Sequence, residues 1–142
     1  MVVLERAVKF EEVDAAGLVF FGRYASYAHE AIERLFAPLE GGYAGLIRER
    51  KIGVPVVRLE ADYVRPLRFG DVVRIEAAVE RLGERSGVFG FRLRRHGDGD
   101  DAPCATVRLT FVVTDLEAMV SCDMPHDMRT LLLEHLAANG SA

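Results

Sequence analysis

The sequence predicts an α+β domain in which an antiparallel sheet is segregated from its helices. Three observations carry this. Five segments alternate apolar and polar residues with the period of a strand. One stretch, Tyr24 to Phe36, instead repeats its apolar residues at the three-and-four spacing of a helix face. The turns between the later strands are short and polar, which suits hairpins.

The elements follow in order. Val2 to Phe10 reads as a strand, with Val2, Leu4, Val8 and Phe10 on one side and Glu5 and Lys9 on the other. The apolar run Leu18 to Phe21 is expected to bury most of its side chains. In the helix that follows, Tyr24, Tyr27, Ala28, Ala31, Ile32, Leu35 and Phe36 form the apolar face, opposite Arg23, Ser26, Glu30, Glu33 and Arg34. Pro38 and Gly41-Gly42 end it, and Tyr43 to Arg50 forms a short second helix. Val54 to Arg65 reads as a long strand with Val57, Leu59, Ala61 and Tyr63 on a buried face. Three strands succeed it: Val72 to Arg81, Ser86 to Arg95 and Ala105 to Thr114, joined at Gly83-Glu84-Arg85 and at the polar run His96 to Asp101. Pro125 to Ala138 reads as a terminal amphipathic helix with Asp123 as its cap.

Length and composition narrow the function. A chain of 142 residues, half of them hydrophobic, suits one domain with a substantial core, without repeat or linker. A formal charge of -4 argues against general affinity for nucleic acid or an anionic membrane. Cys104 and Cys122 are too few for a disulfide framework, and no spaced Cys/His cluster marks a metal site. No segment has the character of a signal peptide or a membrane span, so a soluble cytoplasmic protein is expected. The exposed edge of the sheet predicts pairing with a second copy.

The stretch from Val13 to Phe36 carries the chemistry. Its glycine-containing loop delivers one carboxylate, Asp14, to the start of the apolar helix. A carboxylate can act as base or nucleophile, and the unpaired N–H groups of a first helical turn can hold an oxyanion. Together they suit acyl transfer, although an Asp two residues before Ala-Gly also suits a turn cap.

Phe10 to Phe21, with Asp14-Ala-Ala-Gly17-Leu-Val-Phe-Phe, resembles the signature of hot-dog-fold acyl-CoA thioesterases of the 4-hydroxybenzoyl-CoA thioesterase family. That family includes the Tol-Pal-associated and 1,4-dihydroxy-2-naphthoyl-CoA thioesterases. Gly53-Val-Pro-Val-Val, Tyr63-Val-Arg-Pro-Leu-Arg-Phe-Gly-Asp71 and Glu84-Arg-Ser86 stand at the expected distances, so the resemblance spans nearly the whole chain.

The resemblance implies a hot-dog fold over residues 1–142, a sheet wrapped around one long central helix, and a homodimer or dimer of dimers. It implies hydrolysis of a small aromatic acyl-CoA to free acid and coenzyme A, with no cofactor and no metal. Asp14 would attack the thioester carbonyl or activate water, the backbone N–H of Phe21 would polarise that carbonyl, and Gly17 would let the loop backbone approach the substrate. Phe20, Tyr24 and His29 would line the acyl pocket, and Arg85 and Ser86 would meet the nucleotide phosphates of CoA. His29, on the border of the apolar stripe, is expected to be half-buried. It either bonds a ring hydroxyl or a carboxyl-derived oxygen, assists Asp14, or is a structural histidine at the dimer interface. The alternatives are a short-chain acyl-CoA or acyl-carrier-protein thioesterase, or a non-catalytic acyl-CoA-binding module. A hydratase of this fold would require a His-Phe-Pro-Gly type of motif, which is absent.

Overall fold

A computed structural model of the protein describes residues 1–99 and 102–142. The main sheet contains β1 (Val2–Ala7), β3 (Val56–Tyr63), β4 (Val72–Leu82), β5 (Ser86–Arg95), β6 (Ala105–Val112) and β9 (Leu136–Ser141). Its strand order is β1-β4-β5-β6-β3, all antiparallel, and β9 runs parallel to β4 beyond the end of β1. A small second sheet joins β2 (Ile52–Gly53), β7 (Thr114–Asp115) and β8 (Val120–Ser121). The helices are α1 (Arg23–Phe36), α2 (Gly42–Arg48) and α3 (His126–Glu134), with a 3-10 turn at Phe10–Glu12.

Helix α1 buries the seven apolar residues that the spacing assigns to its inner face, and it packs on β1, β4 and β6. The alternation of β4, β5 and β6 puts Val73, Ile75, Phe89, Phe91, Val107 and Phe111 under it. Phe89 stacks on Phe111 at 4.5 Å between centroids, and Phe36 meets Phe89 edge-on at 6.1 Å. Such offset and edge contacts suit the ring quadrupoles and fix the helix against the sheet.

Four expectations are corrected. The first strand ends at Ala7, because Phe10–Glu12 turns inward to bury Glu12, and Phe10 lies exposed against Phe69. Strand β3 has no buried face within one chain: Val57 and Leu59 are 63% and 51% exposed. Leu59 pairs with buried Leu109 on β6 and Val57 falls at a register shift between Val56 and Arg58, but β3 is the edge strand, beyond the principal contacts of α1. The last helix stops at Glu134, and Leu136–Ser141 instead fills the free edge of β4. Asp123 does not cap it; Pro125 occupies the N-cap and Asp123 pairs with Arg85. The hairpin at Gly83-Glu84-Arg85 is present, closed by Gly83 N–H to the Ser86 carbonyl. Of the turn expected at His96 to Asp101, Asp100 and Asp101 lie outside the described residues.

Among the described residues, no helix is long and apolar enough to cross a membrane.

Candidate active site

The Asp14 loop is a closed turn. Asp14 N–H donates to the Leu18 carbonyl at 2.8 Å, and Gly17 N–H donates to the Asp14 carbonyl at 2.9 Å. Gly17 has φ +79°, a conformation that favours glycine, and a Cβ there would meet open space. Its requirement is therefore conformational. Asp14 is exposed, and its Oδ1 accepts the N–H of Ala16 at 2.9 Å and of Leu18 at 3.4 Å. Oδ2 has no partner among the described residues. One oxygen holds the turn while the other stays available for chemistry.

Beyond the loop the chain is pinned twice, by Val19 N–H to the Leu67 carbonyl and Phe20 N–H to the Glu12 carbonyl. It then enters α1 through Phe21 and Gly22, with no side-chain cap. Arg23 N–H takes the Phe20 carbonyl at 2.9 Å, but the N–H groups of Phe21 and Gly22 find no acceptor among the described residues. Two free donors at the positive end of a helix can stabilise a developing oxyanion.

Phe21 borders a cleft of about 280 Å³ lined also by Leu18, Val19, Tyr24, Tyr63 and Arg65. The volume lies at the lower end for ligand pockets, enough for a ring and too little for a whole CoA. Tyr24 is buried and meets Tyr63 edge-on at 4.9 Å. Burial holds its phenol above the usual tyrosine range, so it enters the site as a neutral hydroxyl. Phe20 and Phe21 are 48% and 64% exposed, contrary to the expected burial of the Leu18–Phe21 run. Their rings pack on each other at 4.5 Å.

Behind the loop lies a buried ion pair. Glu12, only 6% exposed, accepts from Arg6, from Lys9 N–H at 2.8 Å and from the Tyr27 hydroxyl at 3.1 Å. Arg6 also reaches Glu30 at 3.0 Å and lies 4.5 Å over the Tyr27 ring. Burial acts to raise the Glu12 carboxyl, yet Arg6, the Lys9 amide and Tyr27 together hold it below the usual carboxylate range. Burial first, and then Glu12, keep Tyr27 protonated as a donor.

The other expected site residues lie apart. His29, two turns along α1, is exposed rather than half-buried and meets Tyr43 of α2 edge-on at 5.6 Å. Arg85 donates to Asp123 at 2.8 Å, and the Ser86 hydroxyl accepts from Arg81 at 3.5 Å. Both stand at the opposite end of the sheet, since Ser86 pairs with Val112 while Tyr63 pairs with Ala105. Seven residues of β6 separate the two ends, about 23 Å at ~3.3 Å per residue. The Arg85–Asp123 pair is exposed, so it resists displacement by a phosphate only weakly.

A larger cavity, about 560 Å³, lies on the sheet face opposite the core and includes Glu60, Asp62, Glu76, Glu80, Arg92 and Arg108. Its carboxylates repel a polyanionic coenzyme, which makes the smaller cleft the better candidate. Among the described residues, no group of three or more His, Cys, Asp or Glu side chains could hold a metal ion.

The chain is 33% identical over 106 residues to the 1,4-dihydroxy-2-naphthoyl-CoA hydrolase of Synechococcus elongatus, covering 74% of this chain and 77% of that one. It is 26% identical over 129 residues to the same-named protein of a Picosynechococcus species, covering 89% and 88%. The solved structure of a gentisyl-coenzyme A thioesterase superposes with a TM-score of 0.79 and 26% identity, covering 92% of this chain and 99% of that one. The sequence profile of the thioesterase-like superfamily matches residues 8–132, and the antiparallel sheet with three helices is that of its hot-dog members: the chain belongs to the thioesterase-like superfamily.

Proposed function

We propose that the protein hydrolyses the thioester of a small aromatic acyl-CoA, releasing the free acid and coenzyme A. The observation that supports this best is the pairing of a half-free carboxylate, Asp14, with the unengaged N–H of Phe21 beside an aromatic cleft. The relatives named as hydrolases of dihydroxynaphthoyl-CoA and gentisyl-CoA support the same substrate class. In this reading Phe21 N–H donates to the thioester oxygen, and Gly17 keeps the turn that presents Asp14. Two routes are open to Asp14. It can attack the carbonyl carbon and expel the CoA thiolate, leaving a mixed anhydride for water to cleave, or it can take a proton from water that attacks directly. A thiolate leaves readily and needs little help from an acid. The acyl ring lies against Phe20, Tyr24 and Tyr63, and His29 meets a polar substituent or lies at an interface.

The chain acts as one domain over 1–142 whose sheet wraps α1, paired with a second copy. Antiparallel pairing of two β3 edges covers Val57 and Leu59. It also sets the Val56 end of one strand beside the Tyr63 end of the other. Arg85 and Ser86 of a second copy are thereby brought toward the mouth of this cleft, where they meet the nucleotide phosphates. Two such dimers can associate. Free Cys104 and Cys122 fit a reducing cytoplasm. Sedimentation should give the mass of a dimer or tetramer, and Leu59→Glu should reduce it to that of one chain. An unchanged mass for the variant removes β3 from the interface.

The activity is tested by thiol release from benzoyl, 4-hydroxybenzoyl, dihydroxynaphthoyl, phenylacetyl, acetyl, hexanoyl and palmitoyl thioesters of CoA. An aromatic thioester should exceed hexanoyl-CoA in kcat/KM by roughly 10-fold or more, the lower end of what a single methylene's misfit in a pocket costs. Preference for an aliphatic chain overturns the substrate class, and binding without turnover leaves a binding module.

A further inference from the structure

We infer that Tyr63 is a positioning residue for the reaction: by holding the Phe21 carbonyl, its hydroxyl aligns the Gly22 N–H, the second free donor beside that of Phe21. The inference rests on the thioesterase reading above and concerns a contact between residues 42 positions apart.

The Tyr63 O–H donates to the Phe21 carbonyl at 2.9 Å. In a trans peptide the C=O and N–H point in opposite directions, so fixing one aims the other. The two free donors belong to successive peptides. Phe21 N–H shares its peptide with the Phe20 carbonyl, which the helix holds through Arg23 N–H at 2.9 Å. Gly22 N–H shares its peptide with the Phe21 carbonyl, whose helical donor, Tyr24 N–H, is long at 3.4 Å. The second peptide is thus weakly held from within α1, at a residue without a side-chain cap, and Tyr63 supplies the missing restraint.

Tyr63 is itself well placed for this. It ends β3, where the N–H groups of Val64 and Arg65 both bind the Cys104 carbonyl at 2.8 and 3.0 Å. Its ring is set edge-on to buried Tyr24. The phenol therefore reaches the helix entrance from a strand end that is anchored independently of the Asp14 loop. Because β3 is the sheet edge, this bond also links the geometry of the donors to the strand that pairs with a second copy.

The test is Tyr63→Phe, which keeps the ring against Tyr24 and removes only the O–H, compared with the unaltered protein and Asp14→Asn on the best aromatic thioester. Deleting an oxyanion donor outright costs about 100- to 1000-fold, so releasing its alignment should lower kcat by about 10-fold. KM should stay within about twofold, because the bond acts on the developing charge rather than on ground-state binding. Melting temperature and sedimenting mass should match those of the unaltered protein. An unchanged kcat, a rise in KM alone, or a fall in kcat accompanied by altered mass or melting overturns the positioning role. If Asp14→Asn still loses activity in those cases, the thioesterase reading stands without Tyr63. An unaltered protein that cleaves no thioester sinks both.

Discussion

Asp14→Asn is expected to lower kcat by at least about 100-fold on an aromatic acyl-CoA, the scale expected when a key acid-base group is removed. The fold should survive, because the amide oxygen can still accept the N–H groups of Ala16 and Leu18 that Oδ1 now holds. What disappears is the charge on Oδ2, the oxygen without a partner among the described residues. Neither the nucleophilic nor the general-base route survives that loss. Rates should be read as thiol release, with binding of the intact thioester followed separately. A variant that binds normally and turns over slowly matches the assignment. One that retains most of its activity removes Asp14 from the chemistry.

The largest expected effect on stability is at Glu12. Glu12→Ala leaves the Arg6 guanidinium with Glu30 as its remaining carboxylate and the Tyr27 hydroxyl without its acceptor. Breaking a buried pair by removing one partner costs about 3–5 kcal/mol, and the partly exposed Glu30 puts the expectation near about 3 kcal/mol. Urea unfolding checks this, and a loss below about 1 kcal/mol contradicts it. The pH dependence has a definite sign. The folded-state carboxyl lies below the ordinary range, so its contribution is fully present above the unfolded value and is lost as pH falls through the folded one. Glu76 and Asp127 are lowered as well, so the difference between the unaltered protein and Glu12→Gln isolates this group. The gap should narrow as the solution becomes acid.

Much of the architecture is legible in the residues. The inner face of α1 can be read residue by residue because its apolar period and its buried stripe coincide. The same holds for β4 and β5, whose alternation matches burial along most of their length. Strand β3 shows what periodicity omits. Val57 and Leu59 mark a face built for burial, but the pattern does not say whether the same chain provides the cover. Pro125 to Ala138 reads as one helix, yet Leu136–Ser141 extends along the edge of β4 that β1 leaves open. There tertiary hydrogen bonding overrides local preference. Of the proposed site, Asp14, Gly17 and Phe21 are visible because they are neighbours in one motif. Glu12 and Tyr63 are not, since their roles arise from contacts 15 and 42 residues away. His29 sits on the border of the apolar stripe, where spacing alone does not separate a half-buried ring from an exposed one resting on Tyr43.

The most direct measurement is a crystal structure of Asp14→Asn with an intact aromatic acyl-CoA bound. The thioester oxygen should lie within about 2.7–3.1 Å of Phe21 N, with the carbonyl carbon beside residue 14 and the ring against Tyr24 and Tyr63. An acyl group bound elsewhere, or a carbonyl turned away from the start of α1, would contradict this placement.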